Sequence, residues 1–380
     1  MKRIPYGHQW ISKDDITAVV KVLKSDWITQ GPAVEDFEVK VAQYCGVKYA
    51  VAVSSGTAAL QAAYNAAGIG LGDEVITTPL TFVATANAAV FCGAKPVFCD
   101  IENDTLNIDP TGIEEKITPK TKAIVPVDFA GHPCDYDAIK KIARKHKLLV
   151  IEDAAHSLGS EYEGAKVGSL ADMTIFSFHP VKAITTGEGG MVLTDSKIFY
   201  EKLIKFRQHG AVKKPDIGGW YYEIEDLGYN YRLTDFQSAL GASQLKKLDT
   251  FTKRRREIVA RYNEAFGDVE EIVTPCEKDY ARTAWHIYPI RLRLEMLEAG
   301  RKTIFEALQA SGLGVQVHYL PVHLHPFYKK NFGYKIGNFP IAENYYERAI
   351  TLPLFPKMTG KEVNKVIKIV KEIINQYRRK

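Results

Sequence analysis

Lys182 sits in the stretch Phe176-Ser177-Phe178-His179-Pro180-Val181-Lys182-Ala183-Ile184-Thr185-Thr186-Gly187-Glu188-Gly189-Gly190, among turn-forming, small and hydroxyl residues. The runs Asp172–Phe178 and Gly189–Asp195 on either side read as strands, which puts Lys182 in a loop between them. Loops held by a rigid scaffold are where chemistry is commonly placed. A lysine among partly apolar neighbours can lose its proton and act as a Schiff-base amine. A solvated surface lysine is the ordinary alternative, so the weight falls on what else the chain supplies.

Four further stretches supply it. In Val53-Ser54-Ser55-Gly56-Thr57-Ala58 a strand ends, a small-residue turn follows and a helix begins. Free N–H groups at a helix start bind anions. Gly56 would let a phosphate approach the backbone, and Ser55 and Thr57 add hydroxyl donors. Serine acting only as a helix cap is the competing view. In Val150-Ile151-Glu152-Asp153-Ala154-Ala155-His156 an apolar strand delivers Asp153 to its carboxyl end. A carboxylate there stays ionised only opposite a cation or donor, and a protonated pyridine nitrogen is one such partner. His156 could order that carboxylate, lie against a ring, or simply pack. Phe82, in Thr78-Pro79-Leu80-Thr81-Phe82, stands where it could cover a flat aromatic ring or belong to the core. Asn230 and Arg232, in Gly228-Tyr229-Asn230-Tyr231-Arg232, are exposed-type residues before a long helix, and an arginine there suits a carboxylate or phosphate. Taken together, a phosphate cup, a ring-nitrogen acid, a ring cover and a Schiff-base lysine describe a pyridoxal phosphate site.

The elements that must position these residues alternate between strand and helix. Two helices come first, Asp14–Lys24 behind Ser12 and Val34–Cys45 closed by Gly46. Strands are then expected at Tyr49–Val53, Glu74–Thr77, Pro96–Asp100, Ala123–Val127 and Leu148–Glu152, with helices Thr57–Ala67, Phe82–Phe91 and Tyr136–His146 between them. Short apolar strands spaced by helices predict an α/β fold with a mostly parallel sheet covered on both faces. Such sheets bind ligands beyond the carboxyl ends of their strands. The pattern shifts near residue 250. Helices Leu233–Leu248 and Thr252–Phe266 are followed by a strand Ala284–Leu292, a helix Gly300–Ser311, a strand Val315–His318 and a long terminal helix Thr359–Tyr377. The expected organisation is a large domain over 1–250 and a smaller α+β domain over 251–380.

Composition agrees with an ordinary globular chain: 380 residues, 46% hydrophobic and 25% charged, with a net charge of +5. So mild a charge, mostly mixed in sign, does not point to nucleic acid. Five cysteines without a CxxC argue against a disulfide framework or a zinc site and suit a reducing cytoplasm. No apolar run approaches a membrane span, and no metal site is expected.

The chain resembles the sugar aminotransferases of the DegT/DnrJ/EryC/StrS group, within the fold-type I pyridoxal phosphate enzymes. The resemblance rests on Ser54-Ser55-Gly56-Thr57, Glu152-Asp153-Ala154-Ala155-His156, Ser177-Phe178-His179 leading to Lys182, Thr186-Gly187-Glu188-Gly189-Gly190, Phe206-Arg207-Gln208-His209-Gly210 and Gly228-Tyr229-Asn230-Tyr231-Arg232, and runs over nearly the whole chain. Within the group it is most similar to the nucleotide-sugar 4-aminotransferases of pseudaminic acid biosynthesis, through Ile28-Thr29-Gln30-Gly31, Phe82-Val83-Ala84-Thr85-Ala86-Asn87, Lys182-Ala183-Ile184-Thr185-Thr186 and Gln316-Val317-His318-Tyr319-Leu320-Pro321-Val322. The resemblance implies that Lys182 holds the cofactor as a Schiff base and shuttles a proton. It implies that Asp153 keeps the pyridine nitrogen protonated, and that Ser177 joins Ser55, Gly56 and Thr57 at the phosphate. Asn230 would reach the phosphate of a neighbouring subunit, making a homodimer with shared sites the working unit. Glutamate would be the amino donor and a UDP-linked 4-keto-6-deoxy-N-acetylhexosamine the acceptor. Tyr6, Thr29, Arg232, His318 and Tyr319 would line the sugar-nucleotide cleft, while the further histidines His323 and His325 stay open as contacts. Dehydratase relatives carry histidine where this chain has Lys182, which disfavours that activity. An aminotransferase for another nucleotide-linked ketosugar, and more remotely a non-catalytic cofactor sensor, remain the alternatives.

Overall fold

The computed structural model of the protein describes residues 3–379. Seven strands form the central sheet in the order Tyr49–Val53, Gly190–Thr194, Met173–Ser177, Leu149–Asp153, Thr121–Val125, Glu74–Thr77 and Lys95–Phe98. Gly190–Thr194 runs antiparallel to both its neighbours, and the other ladders are parallel. This one reversal matters for the site. Six strands end at the same edge, and the antiparallel strand begins there, so the loop carrying Lys182 starts and finishes at that edge.

Side chains alternate along each strand, and both faces are apolar. Val51, Val53, Ile151, Ile175 and Val192 pack with Ala59, Leu60 and Ala63 of the helix Gly56–Ala66 and with Leu203 and Phe206 of Lys197–Arg207. Ala50, Ala52, Val150, Phe176 and Met191 face the other way, toward Phe37 and Val41 of Pro32–Cys45 and toward Tyr136 and Ile139 of Tyr136–His146. The result is the three-layer α/β arrangement that continuous apolar strands predict.

The organisational change near residue 250 falls in the first turn of the helix Leu248–Phe266. Leu248 packs in the central core, whereas Ile258, Val259, Tyr262 and Phe266 belong to a separate apolar cluster. That cluster is closed by the helices Arg301–Ala310 and Gly360–Gln376 and by an antiparallel sheet of Ile272–Val273, Tyr288–Leu292 and Ala349–Leu352. Ile4 from the N-terminal segment inserts into it and bridges to Leu313. Among the described residues no helix is long and apolar enough to cross a membrane.

Three expectations are corrected. The strand expected from Ala284 starts only at Tyr288, after the left-handed Trp285. Val315–His318 is not a strand: only Gln316 pairs, through a single bridge to Thr351. Val315 is buried in the C-terminal cluster, while His318 lines the cavity at the central sheet edge. The helix expected from Phe82 starts at Ala84, which leaves Phe82 outside it and 59% exposed.

Candidate active site

At the strand-end edge lies a cavity of about 430 Å³. Its wall brings together eleven of the expected residues: Tyr6, Ser55, Gly56, Thr57, Phe82, Asp153, His156, Ser177, Lys182, His318 and Tyr319. They come from segments far apart in the chain and meet because each follows a strand end or, for Tyr6, His318 and Tyr319, because the terminal segments fold back over that edge.

Ser55 is the N-cap of Gly56–Ala66, its hydroxyl oxygen accepting from Ala58 N at 3.1 Å. Its hydroxyl proton stays available, so capping and anion binding are compatible. A Cβ on Gly56 would approach the Ser177 Cβ to 2.9 Å and its Oγ to 3.1 Å. The helix start therefore needs glycine to lie against Ser177. The cradle combines main-chain amides with the hydroxyl-bearing Ser55, Thr57 and Ser177, a donor set suited to a phosphate.

Asp153 ends its strand buried, 5% exposed, beneath the cavity. Thr85 Oγ1 donates to its Oδ2 at 2.6 Å, and Ala155 N donates to Oδ1 at 3.2 Å. Thr81 Oγ1 lies 2.8 Å from Thr85 Oγ1 and extends the network. Burial pushes the Asp153 carboxyl above its usual range, against the pull of Thr85, Ala155 N–H and the Lys182 cation. A carboxylate so placed would gain from a buried cationic N–H in the cavity, which is what a protonated pyridine nitrogen offers.

Lys182 is half-buried in the cavity wall. Desolvation pulls its amine down from 10.5 to about 8, opposed only by the Asp153 charge. The lysine that must be neutral to attack a carbonyl is thereby brought toward neutrality near physiological pH.

His156 lies in the same wall, but it does not order Asp153, as one reading allowed; Thr85 and Ala155 do. Its Nε2 is 3.1 Å from the Tyr319 Oη, and its Nδ1 has no partner. Burial, with the Lys182 and His318 charges, pushes it well below an ordinary histidine. His318 Nδ1 lies 2.9 Å from Thr351 Oγ1, and burial takes that imidazole down to about 4. Of the histidines left open, His323 is fully buried against Glu343 and, like His325, lies outside the cavity wall.

Three expected residues do not join the cavity. Thr29 bridges to Thr234, Asn230 bridges to Gln208, and Arg232 bridges through its main chain to Val53. Arg232 instead lines a separate cleft of about 280 Å³ with Gln30, Gly31, Glu38 and Arg207. Conversely, sequence reasoning missed Thr81, Thr85, Glu188 and His286, all in the cavity wall. A pair of threonines four residues apart just past a strand end was a signal for the first two. For His286 there was none.

Comparison with known proteins agrees with this geometry. The profile of the DegT/DnrJ/EryC1/StrS aminotransferase family matches residues 9–371, and the chain belongs to that family. It is 46% identical to the spore coat polysaccharide biosynthesis protein SpsC of Bacillus subtilis, covering 98% of this chain and 97% of that protein. It is 44% identical to the UDP-4-amino-4,6-dideoxy-N-acetyl-beta-L-altrosamine transaminase of Campylobacter jejuni strain 81-176, covering 94% of each. The solved structure of Helicobacter pylori PseC, an aminotransferase of pseudaminic acid biosynthesis, superposes with a TM-score of 0.94 at 36% identity, covering 99% of this chain and 100% of that one. The protein is a nucleotide-sugar aminotransferase whose cofactor is pyridoxal phosphate.

Proposed function

We propose that the enzyme moves the amino group of L-glutamate to C4 of a UDP-linked 4-keto-6-deoxy-N-acetylhexosamine, a step of pseudaminic acid synthesis. The observation that carries this reading is the single cavity that unites Lys182, Asp153 and the Ser55-Gly56-Thr57/Ser177 cradle, in a chain 44% identical to a transaminase acting at that position. Bound pyridoxal phosphate supplies an electron sink and carries the amino group from one substrate to the other. Ser55, Gly56, Thr57 and Ser177 hold its phosphate, and Asp153 holds the proton at its ring nitrogen. Lys182 takes the proton from the donor's α-carbon and returns one on the acceptor side. Phe82 and His156 bound the slot for the ring. Tyr6, His318 and Tyr319 form the wall next to the sugar.

Asn230, Arg232 and Thr29 stand outside this cavity; in this reading Asn230 acts at the phosphate of a neighbouring subunit, and Thr29 and Arg232 extend the sugar-nucleotide cleft. The dimer, the division into domains 1–250 and 251–380, and a cytoplasmic location are part of the same reading. Five unpaired cysteines fit that compartment. The 46% identity to SpsC favours a second reading, a related ketosugar destined for another surface polysaccharide.

The test is an absorbance spectrum of purified protein before and after L-glutamate, beside Lys182→Ala, followed by turnover with UDP- and dTDP-linked ketosugars. A lysine-dependent band that glutamate converts, and turnover of the UDP-linked 4-ketosugar, are expected. A spectrum unchanged by loss of Lys182 would overturn the lysine's role, and turnover of only the dTDP-linked sugar would overturn the substrate.

A further inference from the structure

The wall behind His156 is built in a way the proposed chemistry does not use. His286 lines the cavity, is 6% exposed, and its ring centroid lies 4.3 Å from that of His156, tilted by 43°. The Nδ1 atoms of both rings lack partners. Burying two polar rings without full pairing is unfavourable, so the rest of the structure must impose it.

Three features do so. Trp285, next to His286, has φ +54°, a conformation that a bulky residue avoids and that persists only when its surroundings over-determine it. Arg255 is 3% exposed, with no carboxylate partner shown among the described residues. It donates instead to the carbonyls of Trp285 at 3.3 Å, His286 at 3.0 Å and Leu354 at 3.1 Å. His286 N donates to Ala130 O at 2.9 Å. At the neighbouring Gly131, φ +95°, a Cβ would come within 2.9 Å of the His156 carbonyl oxygen and 3.2 Å of His286 N. The main chains of 131, 156 and 286 thus meet at one point, fastened by a buried arginine. Tyr319 Oη, in addition, lies 3.1 Å from His156 Nε2.

We propose that His286 is the positioning residue for His156: its ring, clamped through the main chain by Arg255, fixes the tilt at which His156 enters the cavity. Tyr319 holds the same ring through its Nε2. Burial first, then the Lys182 cation near both rings and the Arg255 cation near His286, keep both imidazoles neutral. The inference rests on the aminotransferase reading only for its kinetic readout.

The test compares His286→Ala, which empties the slot, with His286→Phe, which keeps a ring in it. Turnover in the Ala variant is expected to fall about ten- to a hundredfold with the ketosugar KM little changed, since small misplacements in a reacting site have effects of that order. The Phe variant recovers most of it. In cofactor-free protein, the imidazole nitrogen resonances of His156 keep their native pattern in the Phe variant and become tautomer-averaged in the Ala variant. Equal damage from Phe and Ala would mean that the His286 nitrogens, not its ring, are needed, and would overturn the proposal. Native His156 signals and native turnover in the Ala variant would overturn it too. If the Ala variant does not fold, Arg255→Lys, which loses the Nη1 contacts to the three carbonyls, must disturb the His156 signals in the same direction. Should the protein turn over no ketosugar at all, the functional reading fails, and the His156 spectrum still decides this one.

Discussion

Lys182 offers a quantitative check on the site because its environment sets its basicity. Enclosure lowers its amine from 10.5 to about 8. At about 1.4 kcal/mol per pH unit, this amounts to an upper bound of about 3 kcal/mol against the charged form, since the residue is only half-buried and water screens part of it. At pH 7 about a tenth of such amines are neutral, against about one in three thousand for an ordinary lysine, a gain of about 300-fold in nucleophile. The assay is reductive trapping of a small aldehyde on cofactor-free protein across pH, with the Lys182 peptide read by mass spectrometry. The labelling midpoint is expected near 8. Asp153 is the one group that raises the lysine, so Asp153→Asn should move the midpoint lower still. A native midpoint near that of free lysine, or one that rises when Asp153 is neutralised, refutes the reasoning. The same displacement has a stability consequence. Because the folded value lies below the unfolded one, the unfolded chain binds more protons between about 8 and 10.5, and the lysine's contribution to stability rises with pH across that window.

Further outcomes follow from contacts around the cavity. Thr85→Val removes the 2.6 Å donor to Asp153. Losing a hydrogen bond to a charged group, worth about 1.5–3 kcal/mol, should raise the Asp153 carboxyl further and weaken pyridoxal phosphate binding about ten- to a hundredfold in a titration. Gly56→Ala drives a Cβ to 2.9 Å from that of Ser177. Overpacking of about 1–3 kcal/mol should appear mainly as lost cofactor affinity, with the circular dichroism spectrum unchanged. Glu38→Ala should destabilise the protein by about 3–5 kcal/mol in denaturant unfolding, by leaving Arg207 uncompensated. Glu38 Oε1 accepts from Arg207 Nη1 at 2.5 Å and from Ala52 N at 2.7 Å, and the same Arg207 nitrogen donates to Ala52 O at 2.9 Å, so the pair clasps the strand Tyr49–Val53.

What the sequence by itself determined is what local chemistry encodes. Short apolar runs such as Leu148–Ile151, spaced by helical patterns and turn residues, read as strands buried on both faces, so the parallel sheet was legible. The turn at Ser55-Gly56 and the carboxylate after Ile151-Glu152 are each defined within a few residues, so the helix start and the buried carboxylate that line the cavity were legible too. Lys182 stood out once those partners were present. Where local propensity met a tertiary demand it failed. Val315–His318 has a strand's composition, yet the chain turns so that His318 and Tyr319 line the cavity, and only Gln316 is paired. The helix at Phe82 begins two residues late, and that keeps Phe82 at the cavity mouth.

Only the tertiary structure decided which distant groups meet. Thr85 reaches Asp153 across 68 residues, and Tyr319 reaches His156 across 163. His286 is brought to His156 by a strained turn and a buried arginine that no spacing announces. The physical reason is that side-chain type records what a residue can do, whereas proximity arises from strand order and from the fold-back of the C-terminal segment over the sheet edge. Those contacts in turn set how far burial moves the protonation of Lys182, Asp153 and His156.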